Sequence, residues 1–125
     1  MNTISLIFIG AGLGGVLRYG VSTGINNLFN KNFPYGTLVV NVSGSFLMGF
    51  LFVFILERFQ SIAPQLRALL LIGFLGGYTT FSSFSIETIN LMENANWFPA
   101  IVNILLSTIL CLMAAWMGVM LGRNL

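Results

Sequence analysis

Four apolar runs, each long enough to cross a bilayer, fill most of this chain and leave only short polar breaks between them. A helical span needs roughly 20 predominantly apolar residues. The breaks mark spans from about Ile4 to Ile25, Tyr35 to Leu56, Leu66 to Met92 and Trp97 to Leu121. The first ends in the Asn-rich stretch from Asn26 to Asn32, and the second stops at Glu57-Arg58. Pro34 and Pro64 precede the second and third, while Trp97 and Pro99 mark an interface and a helix start for the fourth. The expected fold is an all-α membrane protein, a single four-helix transmembrane domain over residues 1–125. All connections are short, and no soluble domain or linker fits between the spans. The first apolar segment has no basic leader before it and no convincing small-residue cleavage site, so it reads as a span rather than a removed signal.

Charge supports this reading. Only 6% of residues are charged and the mean hydropathy is +0.94, whereas soluble domains carry about 25% charged residues. Five basic against three acidic residues are far too few for a nucleic-acid footprint, so no nucleic-acid partner is expected. The chain has no histidine, and its single cysteine, Cys111, cannot form an intrachain disulfide. Metal sites built from His and Cys are thereby excluded, while backbone carbonyls remain available as ligands.

The third span carries Gly76-Gly77-Tyr78-Thr79-Thr80-Phe81-Ser82-Ser83-Phe84-Ser85 at its middle. Adjacent glycines loosen a helix, and loosened backbone at bilayer depth persists only where protein or a cavity satisfies it. Two readings are open from these residues alone. One is a kinked packing helix whose hydroxyls bond back to their own backbone. The other is a third helix broken mid-membrane around an ion or substrate site.

Positive charge barely distinguishes the two sides. Arg58, Arg67 and Arg123 fall on one side, and Lys31 with a snorkelling Arg18 on the other. So weak a positive-inside bias permits insertion both ways up. One reading is an antiparallel, dual-topology homodimer; the other is that loop charges are simply sparse in so apolar a chain. Small residues at four-residue spacing, as in Gly10/Gly14, Ala11/Gly15, Gly20/Gly24 and Gly44 near Gly49, favour close helix contacts within or between subunits. Gly10, Gly12 and Gly15 also match the dinucleotide pattern G-x-G-x-x-G. No acidic residue precedes Glu57, so the ribose-binding acid is missing and close helix packing explains these glycines better.

Polar groups at membrane depth are costly and point to function. Asn41 lies mid-span among valines, and its amide either bonds a neighbouring helix or serves a permeant ion. On a helix after the glycines, Phe81 and Phe84 share one face, while Thr80, Ser83 and Glu87 share another. Hydroxyl and amide donors beside electropositive ring edges, with no Lys or Arg among them, suit an anion that must be held weakly enough to leave. Glu87 is open to several roles: protonated, bonded to Ser83, or carrying protons. Arg18 is open to snorkelling, anion attraction or pairing with Glu87. Asn103, Ser107 and Thr108 suggest helix–helix contacts in the fourth span.

Taken together, Gly14-Gly15-Val16-Leu17-Arg18-Tyr19, Pro34 to Asn41, and Gly76 to Ser85 with Glu87 resemble the Fluc/CrcB fluoride channels across essentially the whole chain. The third motif is the most specific. The resemblance implies an antiparallel dimer with two pores in the plasma (inner) membrane of a prokaryotic cell, passively exporting fluoride and lowering its toxicity. By motif position, Asn41 would donate its amide to fluoride, and Phe81 and Phe84 would present ring edges along the path. Ser82, Ser83 and Glu87 would form the polar track, with Thr37 and Arg18 near the vestibule. Backbone carbonyls of Gly76 and Thr79 would hold a structural sodium ion, Na+, shared between subunits. Tyr78 stands where a smaller aliphatic residue is frequent in that family, and Ser83 where Thr is frequent. Two other functions compete. A small multidrug-type proton-coupled antiporter would need an acid in the first span, where none is present, and a structural subunit would transport nothing.

Overall fold

The computed structural model of the chain describes residues 2–29 and 32–125; Lys31, counted above in the charge balance, lies outside them. Helix α1 (Thr3–Leu28) opens at Asn2, whose side-chain oxygen accepts the Ser5 N–H at 2.8 Å, satisfying one of the donors a helix start leaves free. At its far end, Asn26 Oδ1 accepts the Gly36 N–H at 2.9 Å and ties α1 to the first turn of α2 (Tyr35–Arg58). A short 3₁₀ turn (Gln60–Ile62) leads into the third span.

That span is built from unlike pieces. Helix α3 (Ala63–Leu66), with Pro64 in its first turn, runs into a π-helical stretch (Arg67–Leu75) and then α4 (Gly76–Tyr78). Thr79 and Thr80 are extended, with φ/ψ of −83°/156° and −151°/116°. Helix resumes as α5 (Phe81–Glu93), and α6 (Trp97–Asn124) follows after a tight turn. The architecture is all-helical, with four segments apolar and long enough to cross a membrane: Thr3–Leu28, Tyr35–Arg58, Gln60–Glu93 and Trp97–Asn124.

Two helix pairs carry most of the packing, α2 on α6 and α1 on the π-helical stretch. Both are made close by glycine. A Cβ at Gly49 would strike the Ala115 carbonyl, and one at Gly118 the Phe46 carbonyl. Gly10 and Gly14 likewise face the carbonyls of Leu69 and Phe74. Close backbone approach of this kind replaces the hydrophobic drive that lipid does not provide. Gly12, Gly15, Gly20 and Gly24 face open space within the chain. The core gathers Val40, Ile55, Ala63, Leu71, Leu75 and Tyr78, so half of its residues come from the segment that leads into the extended pair.

Candidate functional site

Thr79 and Thr80 set the geometry of the site. In a continuous helix the N–H of residue i+4 bonds the carbonyl of residue i. Here the Thr80 N–H donates instead to Asn41 Oδ1 at 2.8 Å, and Asn41 Nδ2 donates back to the Thr80 carbonyl at 3.0 Å. The Asn41 amide thus pairs with one extended residue through both its oxygen and its nitrogen, much as a neighbouring strand would. The second amide hydrogen remains for another acceptor. The Ser83 N–H donates to Thr80 Oγ1 at 3.1 Å, making Thr80 the N-cap of α5. Thr79 Oγ1 donates to the Leu75 carbonyl at 2.9 Å.

These bonds have a consequence for the carbonyls of Gly76 and Thr79. Their helical donors would be the Thr80 and Ser83 N–H groups, and both are diverted to side-chain oxygens. Two neutral, hard oxygen donors at the end of a helix suit a hard monovalent cation such as sodium. Among the described residues, no group of three or more His, Cys, Asp or Glu side chains offers a competing metal site.

Most of the sequence-predicted residues line one of two cavities that share Thr80; Gly76 and Ser82 line neither, and Glu87 lines a third. The first, about 460 Å³, is lined by Asn41, Thr79, Phe81 and Phe84, with Ser107 and Cys111 of α6 opposite. The rings of Phe81 and Phe84 are tilted at 43° with centroids 5.3 Å apart. Phe81 is 78% exposed in the isolated chain. The second cavity, about 340 Å³, brings together Arg18, Ser22, Thr37, Thr80 and Ser83. Thr80 alone among the predicted polar run borders both. Ser82 is exposed, with its hydroxyl 3.3 Å from Thr80 Oγ1.

Arg18 Nε donates to the Gly77 carbonyl at 3.1 Å, so the guanidinium is docked one turn ahead of the extended pair. Thr37 is buried, and its hydroxyl donates to Glu87 Oε2 at 3.0 Å. Among the described residues, Glu87 Oε1 is buried and without a hydrogen-bond partner. Of the options for Glu87 left open by sequence, the bond partner is thus Thr37 rather than Ser83. Glu87 also borders a third, asparagine-rich cavity of about 640 Å³ with Asn26, Asn27, Asn32, Asn90 and Asn94.

Sequence reasoning did not assign a site role to Tyr78, Ser43 or Thr88. Tyr78 is buried with its hydroxyl 2.9 Å from Ser43 Oγ. In α6, Asn103 Nδ2 donates to Thr88 Oγ1 at 2.9 Å, Ser107 Oγ donates to Asn103 Oδ1 at 3.3 Å, and Thr88 Oγ1 donates to the Phe84 carbonyl at 2.7 Å. This chain of bonds docks the Phe84 turn of α5 on α6. The signal for Thr80 as a cap was present, because a Thr ahead of a resumed helix is a common N-cap.

Comparison with known proteins bears on the same residues. The family described as CrcB-like protein, Camphor Resistance (CrcB), matches residues 5–119. Proteins from two strains of Coxiella burnetii, each named fluoride-specific ion channel FluC, are 60% identical over 125 residues, the whole of both chains. A protein of the same name from Methylococcus capsulatus is 50% identical over 119 residues, 95% of this chain and 52% of that protein. One from Magnetococcus marinus is 42% identical over 120 residues, 96% of this chain and 97% of its own.

Proposed function

The chain belongs to the CrcB-like protein family, and on that premise we propose that it is a fluoride-specific ion channel, a multi-pass membrane protein that lets fluoride leave the cytoplasm passively. The observation that carries this reading is the full-length likeness to proteins named for that activity. It is not an enzyme. Transport through it needs a path, weak ligands and a way to exclude competing ions, and the site offers material for each.

On this reading fluoride enters the cavity bounded by Asn41, Phe81 and Phe84. The second Asn41 amide hydrogen donates to the ion, while ring edges of the two phenylalanines supply weak positive potential. Both interactions are modest, which lets the ion move on. Ser82 and Ser83 add hydroxyl donors on the two faces of α5. Thr37 lines the second cavity and links it through its hydrogen bond to Glu87 on the third, and the Arg18 charge attracts anions toward the mouth of the second. Since Thr37 gives its proton to Glu87, this pair meets an anion only if their hydrogen bond rearranges.

The assembly we propose is an antiparallel dual-topology homodimer with two pores, set in the inner membrane of a prokaryotic cell and surrounded by lipid. Its third helix is broken mid-membrane at Thr79-Thr80, and Gly76 and Thr79 carbonyls of both subunits hold one structural sodium ion. Sodium would be coordinated by carbonyls that have lost their helical donors. The high exposure of Phe81 in the isolated chain supports a second copy covering this face. The antiporter reading has no acid in the first span to work with, and Glu87 is already bonded to Thr37.

Purified protein in liposomes tests the channel directly. Fluoride should leave far faster than chloride under matched gradients, and fluoride efflux no faster than from empty liposomes would overturn the reading.

A further inference from the structure

Tyr78 is the residue by which this chain departs most visibly from its expected motif, and the proposed conduction path leaves it without a role. It sits immediately before the extended pair, 6% exposed, with its ring parallel to that of Phe74 at 6.2 Å between centroids. Its edge packs over Gly44, where a Cβ would come 3.1 Å from the Tyr78 ring and collide with the Thr79 methyl. The ring therefore fills space that α2 leaves open only at a glycine.

The direction of its hydrogen bond follows from counting protons. Ser43 has one hydroxyl proton. Ser43 Oγ lies 2.7 Å from the Val39 carbonyl and 3.1 Å from that of Val40, and carbonyls only accept. The Ser43 proton is thereby committed to α2's own backbone. The 2.9 Å contact between Ser43 Oγ and the Tyr78 hydroxyl then has Tyr78 as donor. A bond chain runs from the third span, through Ser43, to the carbonyls just before Asn41. Asn41 holds Thr80 from the other side. One stretch of α2, residues 39–44, thus grips the extended pair at both flanks.

We propose that Tyr78 is a positioning residue, whose hydroxyl bond to Ser43 fixes the leading flank of Thr79-Thr80 against α2 and so keeps Asn41, Phe81 and the Gly76 and Thr79 carbonyls in register. The inference rests on the channel reading for its effect on flux, but the clamp itself does not.

Two measurements on the full-length protein separate these layers: amide hydrogen exchange at Thr80 and Ser83, and fluoride efflux from liposomes. Tyr78→Phe keeps the ring and removes the donor. It should speed exchange at both amides about fivefold, the size expected for one net hydrogen bond, and slow efflux. Exchange in α6 should stay unchanged. Ser43→Ala should be worse, because it leaves a buried phenol without an acceptor. Adding Tyr78→Phe to it should then give no further loss, and Ser43→Thr, which keeps the acceptor, should behave as wild type. Unchanged exchange at Thr80 and Ser83 in both single variants would overturn the proposal, as would independent, multiplying effects in the double variant. Wild-type protein that passes no fluoride would overturn the channel reading instead, and the exchange data would still decide whether the clamp exists.

Discussion

Asn41 gathers more of the site's chemistry than any other side chain. Its amide oxygen takes the Thr80 N–H and its nitrogen serves the Thr80 carbonyl, so it replaces the helical bond that the Thr80 N–H gives up and leaves one amide hydrogen uncommitted. Asn41→Asp separates these roles. The variant keeps an acceptor for the Thr80 N–H, loses the donor to the carbonyl and adds negative charge beside an anion path. Losing one net hydrogen bond costs about 0.5–1.5 kcal/mol, so thermal unfolding in detergent should register a loss of that order. Fluoride efflux should fall by about tenfold or more, equivalent to at least about 1.4 kcal/mol in binding or barrier terms. Wild-type efflux in this variant would remove Asn41 from the path. The rings pose a simpler question. Phe81 and Phe84 line the same cavity, and isoleucine keeps their bulk while removing the electropositive edge. Phe81→Ile or Phe84→Ile should cut efflux with little change in melting temperature, and unchanged flux in both would dismiss an aromatic path.

At the scale of elements, the junction between α5 and α6 makes a prediction independent of transport. The Asn96 N–H bonds the Leu91 carbonyl at 2.8 Å and the Ala95 N–H bonds that of Met92 at 3.0 Å, the pair of bonds that ends a helix in a Schellman motif. Its central residue needs left-handed backbone, and Ala95 has φ of 61°. That conformation costs a residue with a Cβ roughly 1–2 kcal/mol, partly offset by the extra freedom glycine has when unfolded. Ala95→Gly should therefore raise stability by up to about 1 kcal/mol, visible as a higher unfolding midpoint, and a lower midpoint would contradict the reading of the turn. The elements themselves were largely legible because apolar length and polar breaks are strong, local signals. Gly76-Gly77 and the hydroxyl run marked where the third span would change character, and Asn41 stood out as an amide among valines. What sequence left open was partnership. Nothing local says that Thr37, 50 residues from Glu87, spends its proton there, or that Thr80 caps α5 while bonding α2. Gly49 and Gly118 show the same limit. Their close contact between α2 and α6 joins positions far apart in the chain, whereas the Gly20/Gly24 spacing, read as a packing signal, faces open space within one chain.

At the scale of the whole molecule, most of the large apolar side chains outside the core are exposed, among them Phe8 at 79%, Val16 at 74% and Phe81 at 78%. In water this surface would drive aggregation; in a bilayer it separates into what lipid covers and what a second copy covers. Phe81 lines the cavity beside Asn41 and is 78% exposed in the isolated chain, so on the proposed assembly a second copy has a wall of the path to complete. An antiparallel partner would close it and bring a second pair of Gly76 and Thr79 carbonyls toward the first. Insertion must then occur both ways up, and the chain carries only five basic residues to choose a direction. Each Lys or Arg near a span end biases orientation toward the cytoplasm, so a chain this evenly divided sits close to the tipping point. Reporters fused to the C-terminus should be active on both sides of the membrane. Adding two lysines after Arg123 should place nearly all C-termini in the cytoplasm. Because an antiparallel dimer needs both orientations, that variant alone should lose fluoride efflux. Co-expression with a variant biased the opposite way, carrying lysines in the loop between α1 and α2, should restore it. Full efflux from a population shown to insert in one orientation would reject the antiparallel assembly while leaving the channel reading intact.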